Sequence, residues 1–409
     1  MSSKIEFDYQ IKMQNYLASM QDGFAPNLKV CSLKSELFNL AVSYAGKKID
    51  VVFTDGDYKR LGKIVIGALK NACADYSVMI IECSRGHKTP KIDYDGDVVF
   101  ALGGEELLSV AGYYASQMKI PYHTFITKPL IGFMLNGVVK CNVTGITREY
   151  KITPPKSVVF DNDVLSMATQ SVFAEEYVKI ASLLLTLVDY KFKVLLTGDT
   201  FNAERYSQIR KIISFVLGIS KFTNPKEVLI FASFVLSIES EFGEVLSSSA
   251  VDDYVEALNV YAPNAQKGAK ILTAFSRLVE VYCMFFANDF SRLLCAPNYN
   301  KDIELFESQT GANCDFLYEN LKVPSSKRLY LITEVVNKTR DGFLSDLKSI
   351  LSIINEISSE YNSFNKTTKK IEKVSFEQKL NALRLAPYYS KTPTALTVVR
   401  DLGLIELVK

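Results

Sequence analysis

The first third of the chain alternates apolar strands with helical segments, and this alternation constrains the fold more than any other feature. The stretch 47–54 is rich in β-branched and aromatic residues, which is typical of a buried parallel strand. Residues 58–71 follow with apolar positions at helical spacing. Strands at 77–83 and 97–102 and a helix at 106–118 continue the pattern. The sequence therefore predicts an α/β, doubly wound (Rossmann-like) parallel sheet.

The pattern changes beyond residue 161, where helical periodicity replaces the alternation. We therefore expect two domains, an α/β nucleotide-binding-like domain over 1–161 and an all-α domain over 162–409. Further predicted strands of the first domain cover residues 121–126, 138–143, 148–152 and 158–160. Predicted helices of the second domain cover residues 163–191, 203–218, 226–240, 250–261, 266–288, 302–320, 340–360 and 376–386.

The composition is that of an ordinary globular protein. Of the 409 residues, 48% are hydrophobic and 22% are charged, and the formal net charge is +2. So small a charge predicts neither a nucleic-acid partner nor binding to an anionic membrane. The most apolar segment, Val228 to Ile238, is shorter than the ~20 apolar residues that a membrane span requires. We therefore expect no membrane partner.

The cysteines and the first residues of the chain bear on the cellular compartment. Seven cysteines are scattered singly, and none forms a CxxC pair. Such a set is typical of reduced thiols. Charged residues appear at once after Met1, without the apolar region of a secretory signal. We expect a cytoplasmic protein.

Gly103 and Gly104 form the strongest local motif, since they join a predicted strand to the start of a predicted helix. Such a turn brings backbone N–H groups and the positive end of a helix close to a phosphate. Glu105 and Glu106 follow in the first helical turn, where they would repel a pyrophosphate, so a plain acid-capped turn is an equal alternative. Asp55 and Asp57 follow the first strand, where an acid can hold an adenine ribose or form an Asx turn.

Four segments of the chain, the glycine segment among them, resemble one enzyme family. The glycine segment 102–112 is followed by Ile120–Thr127, then by a segment from Pro154 to Leu165 with the pattern PPKxVxxDxDxL, and finally by closing helices over 383–404. Together they resemble the glycerol-1-phosphate dehydrogenase branch of the dehydroquinate synthase-like superfamily, which includes iron-containing alcohol dehydrogenases. The resemblance covers roughly residues 47 to 405, and it implies a dehydroquinate synthase-like fold.

The resemblance also implies a cofactor and a substrate. NAD(H) or NADP(H) would bind at Asp55, Gly103, Gly104 and Thr127. The reaction would be an oxidoreduction of a small phosphorylated polyol or ketose.

The metal ligands of that family are missing from this chain. The family holds zinc or iron with one Asp and two His, whereas this chain has only His87 and His123, both in the predicted first domain. The resemblance aligns the three ligand positions with Lys179, Ala250 and Lys267, the second of them approximately. We therefore expect no divalent metal and an altered, histidine-free site.

Two interpretations of Lys179 and Lys267 remain open. As catalytic residues, their ammonium groups would replace the charge of the metal or bind a substrate phosphate. As ordinary residues, one would be solvated and the other would pair with an acid such as Glu175 or Glu176. The function is likewise open between an active oxidoreductase, a catalytically inactive pseudoenzyme that binds or scaffolds, and a dehydroquinate synthase-like lyase or cyclase. Assembly as a homo-oligomer is open as well.

Overall fold

The computed structural model divides the chain into two compact units. The first comprises Met1–Phe173 and Gly218–Glu241, and the second comprises Ala174–Leu217 and Phe242–Lys409. The predicted boundary at residue 161 runs differently from this division and stays a prediction. The structure describes residues 12, 13, 15, 16, 27–83, 87–129, 137–143, 147–241, 243–247, 249–288, 297, 299–311, 317, 318, 321, 323–365 and 373–405.

A parallel sheet forms the centre of the first unit. Its six strands follow the order β1-β8-β5-β4-β2-β3, and every neighbouring pair is parallel. Strands β6 and β7 form a separate antiparallel pair. The strands of the described residues are β1 (Asn27–Val30), β2 (Lys48–Phe53), β3 (Asp75–Ile80), β4 (Val98–Gly103), β5 (Tyr122–Ile126), β6 (Val138–Cys141), β7 (Arg148–Lys151) and β8 (Ser157–Phe160).

Helices fill the rest of both units. In chain order they are α1 (Leu33–Ser43), α2 (Asp55–Asn71), α3 (Glu105–Gln117), α4 (Asn162–Ser166), α5 (Gln170–Thr197), α6 (Ala203–Leu217), α7 (Pro225–Glu241), α8 (Ala250–Tyr261), α9 (Lys267–Ala287), α10 (Tyr299–Thr310), α11 (Ser326–Phe364), α12 (Phe376–Leu385) and α13 (Ala395–Asp401). None of these helices, among the residues described, is long and apolar enough to cross a membrane. The parallel sheet with its helices and the mostly helical remainder confirm the predicted fold class.

Some predicted elements are wrong in extent. The single helix predicted over 163–191 is interrupted, because Thr169 starts a new helix by accepting the amide of Val172 at 3.0 Å. The helix predicted over 340–360 is instead the 39-residue α11, whose start is capped by Ser325. The helix predicted over 302–320 ends at Thr310, and part of that range lies outside the described residues.

Strands β2 and β4 are the buried centre of the sheet. Every residue of β4 and all but the first of β2 are buried. Phe53 and Phe100 pack in one hydrophobic core with Leu37 of α1 and with Leu61 and Val65 of α2. A strand covered on both faces needs apolar side chains in both directions, which explains its nearly continuous apolar sequence.

The strand order places a topological switch point between β2 and β4. The connection from β2 leads to β3 on one side, whereas the connection from β4 leads to β5 on the other side. Since parallel crossovers are right-handed, α2 and α3 lie on opposite faces of the sheet. Their divergence opens a crevice at the carboxyl ends of β2 and β4, where open α/β sheets bind ligands.

His123 is a structural residue of this sheet. It lies on β5 with 4% of its surface exposed. Its Nδ1 is 2.7 Å from the Ser157 hydroxyl and its Nε2 is 3.0 Å from the Tyr44 hydroxyl. Burial, assisted by the charges of Lys29 and Lys156, lowers the pKa of His123 to about 4. The imidazole is therefore neutral in the folded protein at neutral pH.

We predict that His123 makes the protein less stable as the pH falls from about 6.5 to about 4. In that window the unfolded chain binds a proton that the folded protein does not bind, so the free energy of unfolding decreases, in total by about 3 kcal/mol. His123→Asn removes this slope in urea unfolding measured at several pH values. The exposed His87→Asn is the matched control, and an unchanged slope in His123→Asn contradicts the assignment.

Asp189 of α5 is the polar centre of the second unit. Its carboxylate is fully buried, and its Oδ1 accepts the hydroxyl of Tyr282 at 2.7 Å and the amide of Ala395 at 3.0 Å. Its Oδ2 accepts the amide of Ala250 at 3.1 Å. Ala250 and Ala395 are the first residues of α8 and α13, whose N–H groups have no partner within their own helices. One carboxylate thus joins α5, α8, α9 and α13.

Removal of this acceptor should destabilise the second unit. Burial raises the pKa of Asp189 to about 7, although its three hydrogen bonds act in the opposite direction. Asp189→Asn turns an amide NH2 toward a donor, and we expect it to lower the free energy of unfolding by about 1–3 kcal/mol. Urea unfolding measures the loss, with Asp199→Asn, at an exposed position just beyond the end of α5, as a near-neutral control. Equal stability of the two variants contradicts this role.

Candidate functional site

The amino end of helix α3 lies at the switch point of the sheet. Gly104 is the N-cap of α3, has an extended backbone and offers no side chain to the first N–H groups of that helix. Asp55, the first residue of α2, follows the neighbouring strand β2. The first N–H groups of α3 have no acceptor within their own helix, and its positive dipole end lies at the carboxyl ends of the two strands, an arrangement that suits an anion.

The two glycines of the turn serve different purposes. A Cβ on Gly103 would lie 2.6 Å from Cδ2 and 3.0 Å from Cβ of Leu107, so this glycine permits close packing of β4 against α3. A Cβ on Gly104 would meet only the flexible side chain of Lys128, with Cδ at 3.1 Å and Nζ at 3.8 Å. Lys128 therefore places an ammonium group beside the open helix end.

A buried carboxylate, Asp57, organises this edge of the sheet. Only 2% of Asp57 is exposed. Its Oδ2 accepts the Thr54 hydroxyl at 2.7 Å, and its Oδ1 accepts Arg60 Nη2 at 2.7 Å and the Thr127 hydroxyl at 2.9 Å. Arg60 Nη2 also donates to the backbone oxygen of Thr127 at 2.9 Å, and Lys128 Nζ lies 3.9 Å from Asp57. The ends of β2 and β5 are thereby fixed on both sides of β4.

The structure places the predicted cofactor residues of the first unit at this edge, but not in equal roles. Asp55 is partly exposed and pairs with Lys59 at 2.6 Å. Thr127 is fully buried, and its hydroxyl donates to Asp57. Thr127 thus stabilises the carboxyl ends of the strands, and its hydroxyl is already engaged with Asp57. The sequence identified Asp57 only as a possible ribose ligand or Asx-turn residue, and its bonds to Arg60 and Thr127 were not predicted.

Acidic groups surround the same helix end. Glu105 and Glu106 occupy the first turn of α3 and are partly buried. Burial, with the charges of Glu106 and Glu82, raises the pKa of Cys83 to about 12. The Cys83 thiol is therefore protonated at neutral pH and is not a nucleophile. These acids weaken the attraction for a pyrophosphate without closing the crevice.

A second polar cluster lies in the helical unit. Lys267, the first residue of α9, pairs with Glu175 of α5 at 3.1 Å, with 22% and 30% of their side chains exposed. Lys179 follows Glu175 by one helical turn, so both lie on one face of α5. Lys267 thus has the acidic partner that the ordinary interpretation of the two lysines predicts. A catalytic role for Lys179 and Lys267 stays a prediction.

Gly268 explains how α9 approaches this cluster. A Cβ on Gly268 would lie 2.8 Å from the ring of Tyr361 and 3.2 Å from the Cα of Glu175. The hydroxyl of Tyr361 accepts Asn365 Nδ2 at 3.1 Å, and that amide also donates to Gln266 Oε1 at 3.0 Å. Burial, assisted by the charge of Glu175, raises the pKa of Tyr361. The start of α9 is therefore held between α5 and the end of α11.

The residues at the expected metal positions do not fit a divalent cation. Protonated lysines have no lone pair to donate, and Lys267 is engaged with Glu175. Ala250 has no ligating group, and its amide binds Asp189, which lies ten residues, or about 15 Å along the helix, beyond Lys179. No histidine follows His123 in the sequence. The part of the chain that the structure describes contains no group of three His, Cys, Asp or Glu that could hold a metal.

Comparisons with known proteins identify the fold. No protein-family model matches the chain, and no curated protein matches it. Among solved structures, a 1,3-propanediol oxidoreductase is similar with a TM-score of 0.57 at 10% identity, covering 95% of this chain and 100% of that one. An archaeal halo-thermophilic alcohol dehydrogenase from a Red Sea brine pool gives a TM-score of 0.56 at 12% identity, covering 95% and 98%.

An iron-containing alcohol dehydrogenase from Thermotoga maritima gives a TM-score of 0.55 at 14% identity, covering 95% of this chain and 99% of that one. The chain therefore has the two-part fold of the iron-containing alcohol dehydrogenases. Identities this low establish the fold alone.

The two glycines of the turn should respond differently to substitution. We predict that Gly103→Ala lowers the free energy of unfolding by about 1–3 kcal/mol, because its methyl group overlaps Leu107. Gly104→Ala should change stability by less than about 1 kcal/mol, because its backbone is extended and Lys128 can move. Thermal or urea unfolding of both variants measures the contrast. The reverse order of stabilities would show that the turn is packed differently.

Proposed function

We propose that this protein is a divergent NAD(P)-dependent oxidoreductase that acts on a small phosphorylated polyol or ketose at a site without histidine. The observation that carries the proposal is the open amino end of α3, reached through Gly103 and Gly104 at the switch point of the sheet. A dinucleotide pyrophosphate suits such a place, because backbone N–H groups and the helix dipole both attract it.

The neighbouring side chains would complete the cofactor site. Lys128 adds a positive charge next to the turn and would offset part of the repulsion from Glu105. Asp55, which follows β2 and pairs with Lys59, would accept hydrogen bonds from the adenine ribose. Since a carboxylate repels a 2′-phosphate, NAD(H) is the better fit of the two cofactors.

The substrate class is supported by the similar structures and by the helical unit. Two of the similar proteins are named as acting on alcohols or a diol, which supports a polyol or the corresponding ketose. The phosphate is suggested by Lys179 and Lys267, whose ammonium groups lie on α5 and at the start of α9. A lysine ammonium binds phosphate as a point charge.

The chain's own residues would provide charge and position. A bound nicotinamide would supply or accept the hydride. Lys179 and Lys267 would orient the substrate phosphate and offset negative charge that develops on the substrate oxygen. Glu175 holds Lys267 in place but also neutralises part of its charge, so the expected catalysis is weak. No step depends on a divalent cation, because the residues present do not fit one.

Cofactor binding is the first test. We predict micromolar binding of NADH in a fluorescence titration, weakened roughly tenfold or more by Gly104→Ala, since a methyl group keeps the pyrophosphate from the N–H groups. Asp55→Asn should shift preference toward NADPH. Asp75→Asn, at the opposite end of the sheet, is the control. Absence of binding to both cofactors at millimolar concentration would overturn the proposal.

Turnover distinguishes the enzyme from a second candidate, a non-catalytic cofactor-binding protein. The Lys267–Glu175 ion pair favours this second candidate, because a paired lysine is less available to a substrate. The active enzyme should oxidise NADH with dihydroxyacetone phosphate and lose that activity in Lys267→Gln. Cofactor binding without turnover on phosphorylated ketoses or polyols, with and without added zinc, would support the non-catalytic protein instead.

A further inference from the structure

A separate cavity of about 470 Å³ lies within the helical unit. Arg328 and Ile332 of α11 line one side, and Arg400 and Asp401 of α13 line another, together with the segment 390–393 that precedes α13. This volume falls in the range of small-ligand pockets. The cavity shares no lining residue with the switch point or with the cluster around Lys267.

The side chains that line the cavity carry more positive than negative charge. Three cationic side chains, Arg328, Lys391 and Arg400, face one carboxylate, Asp401. That carboxylate is already bound by Arg400, whose Nε lies 2.8 Å and whose Nη2 lies 2.7 Å from Oδ1. Arg328 therefore has no carboxylate of the lining to balance its charge, and Lys391 adds a further cation to the lining.

Arg400 is a fixed part of the wall. Its Nη1 donates to the backbone oxygen of Pro387 at 2.9 Å, and its guanidinium lies over the rings of Tyr299 and Tyr388 at 5.4 and 5.0 Å. Only 5% of Arg400 is exposed. This network holds Asp401 against Arg400 and keeps the carboxylate from turning toward Arg328.

Arg328 is the group that points to a ligand. It is partly buried, and among the residues that the structure describes its guanidinium has no hydrogen-bond or ion-pair partner. A guanidinium carries five N–H donors, and no donor of Arg328 is buried without a partner, so these donors are accessible to an acceptor in the cavity. A bound anion would supply that acceptor.

The remaining lining indicates the kind of anion. The hydroxyl of Ser325 accompanies the cations, whereas the hydroxyl of Ser390 donates to the backbone oxygen of Thr392 at 2.8 Å, and apolar side chains of Leu196 and Ile332 line the rest. A phosphate group carries up to two charges and three acceptor oxygens, so it matches several cations better than a carboxylate does. The apolar part leaves room for a small organic group.

We propose that this cavity binds a small phosphorylated metabolite through Arg328 and Lys391. The site is independent of the cofactor and substrate sites proposed above. Binding would also stabilise α13, because Thr397 and Val398 of that helix line the cavity, and the first amide of α13, that of Ala395, is bound to Asp189. A ligand here would therefore act on the polar centre of the helical unit.

Inorganic phosphate is the probe that tests this proposal. A saturable rise of the melting temperature of the full-length protein is expected when phosphate replaces chloride at constant ionic strength, with matching heat in isothermal titration. Arg328→Gln should weaken phosphate binding roughly tenfold, and Lys391→Gln should weaken it severalfold. Lys327→Gln, an exposed neighbour outside the cavity lining, should leave the binding unchanged.

Two results would overturn the proposal. Equal phosphate affinity of Arg328→Gln and Lys327→Gln would place the phosphate elsewhere, and no saturable effect in the unmodified protein would mean that the cavity is not a phosphate site. Gly104→Ala separates this site from the switch point, because it should leave phosphate binding at the cavity unchanged. Loss of phosphate binding in Gly104→Ala but not in Arg328→Gln would assign the phosphate to the switch point.

Discussion

The candidate cofactor site at the carboxyl ends of β2 and β4 depends on the hydrogen bonds of one buried carboxylate, that of Asp57. A charge with so little exposure is unfavourable unless it is fully paired, and here Arg60 and the hydroxyls of Thr54 and Thr127 provide the partners. These bonds fix the start of α2 and the end of β5 relative to β4. The glycine turn can then present its open helix end in a defined position. Asp189 has a similar task in the helical unit, where it binds the starts of two helices.

Local patterns in the sequence are sufficient to predict five of the six strands of the parallel sheet, the glycine turn and helices such as α2 and α3, but not the edge strand β1. The buried carboxylates are not predictable in this way, because their partners are remote in sequence. Asp57 binds Thr127 across 70 positions, and Asp189 binds Ala395 across 206. The Lys267–Glu175 pair was foreseeable only as one of two alternatives, since its formation depends on how α9 packs against α5. The break before α5 was missed because the change to backbone hydrogen bonds of shorter sequence span at Met167 and Ala168, which ends α4, is not visible in the spacing of apolar residues.

The two units suit the proposed chemistry to different degrees. The sheet edge retains a turn, a helix end and an acid that suit a dinucleotide, although Glu105 and Glu106 weaken its attraction for phosphate. In the helical unit, Lys179, Ala250 and Lys267 stand at the positions where the resemblance would expect metal ligands, and Glu175 pairs with Lys267. Cofactor binding is therefore better supported by the structure than catalysis, and a metal-dependent reaction is the least compatible with the residues present.

Hydrogen–deuterium exchange of the protein with and without saturating NADH tests the central claim most directly, because it locates the ligand. If the switch point binds the cofactor, amides of the first turn of α3 and of the β2–α2 corner around Asp55 should become protected. Amides of α6 in the helical unit should not change. Protection that is absent from both corners, or that appears only elsewhere, would contradict a cofactor site at the carboxyl ends of β2 and β4.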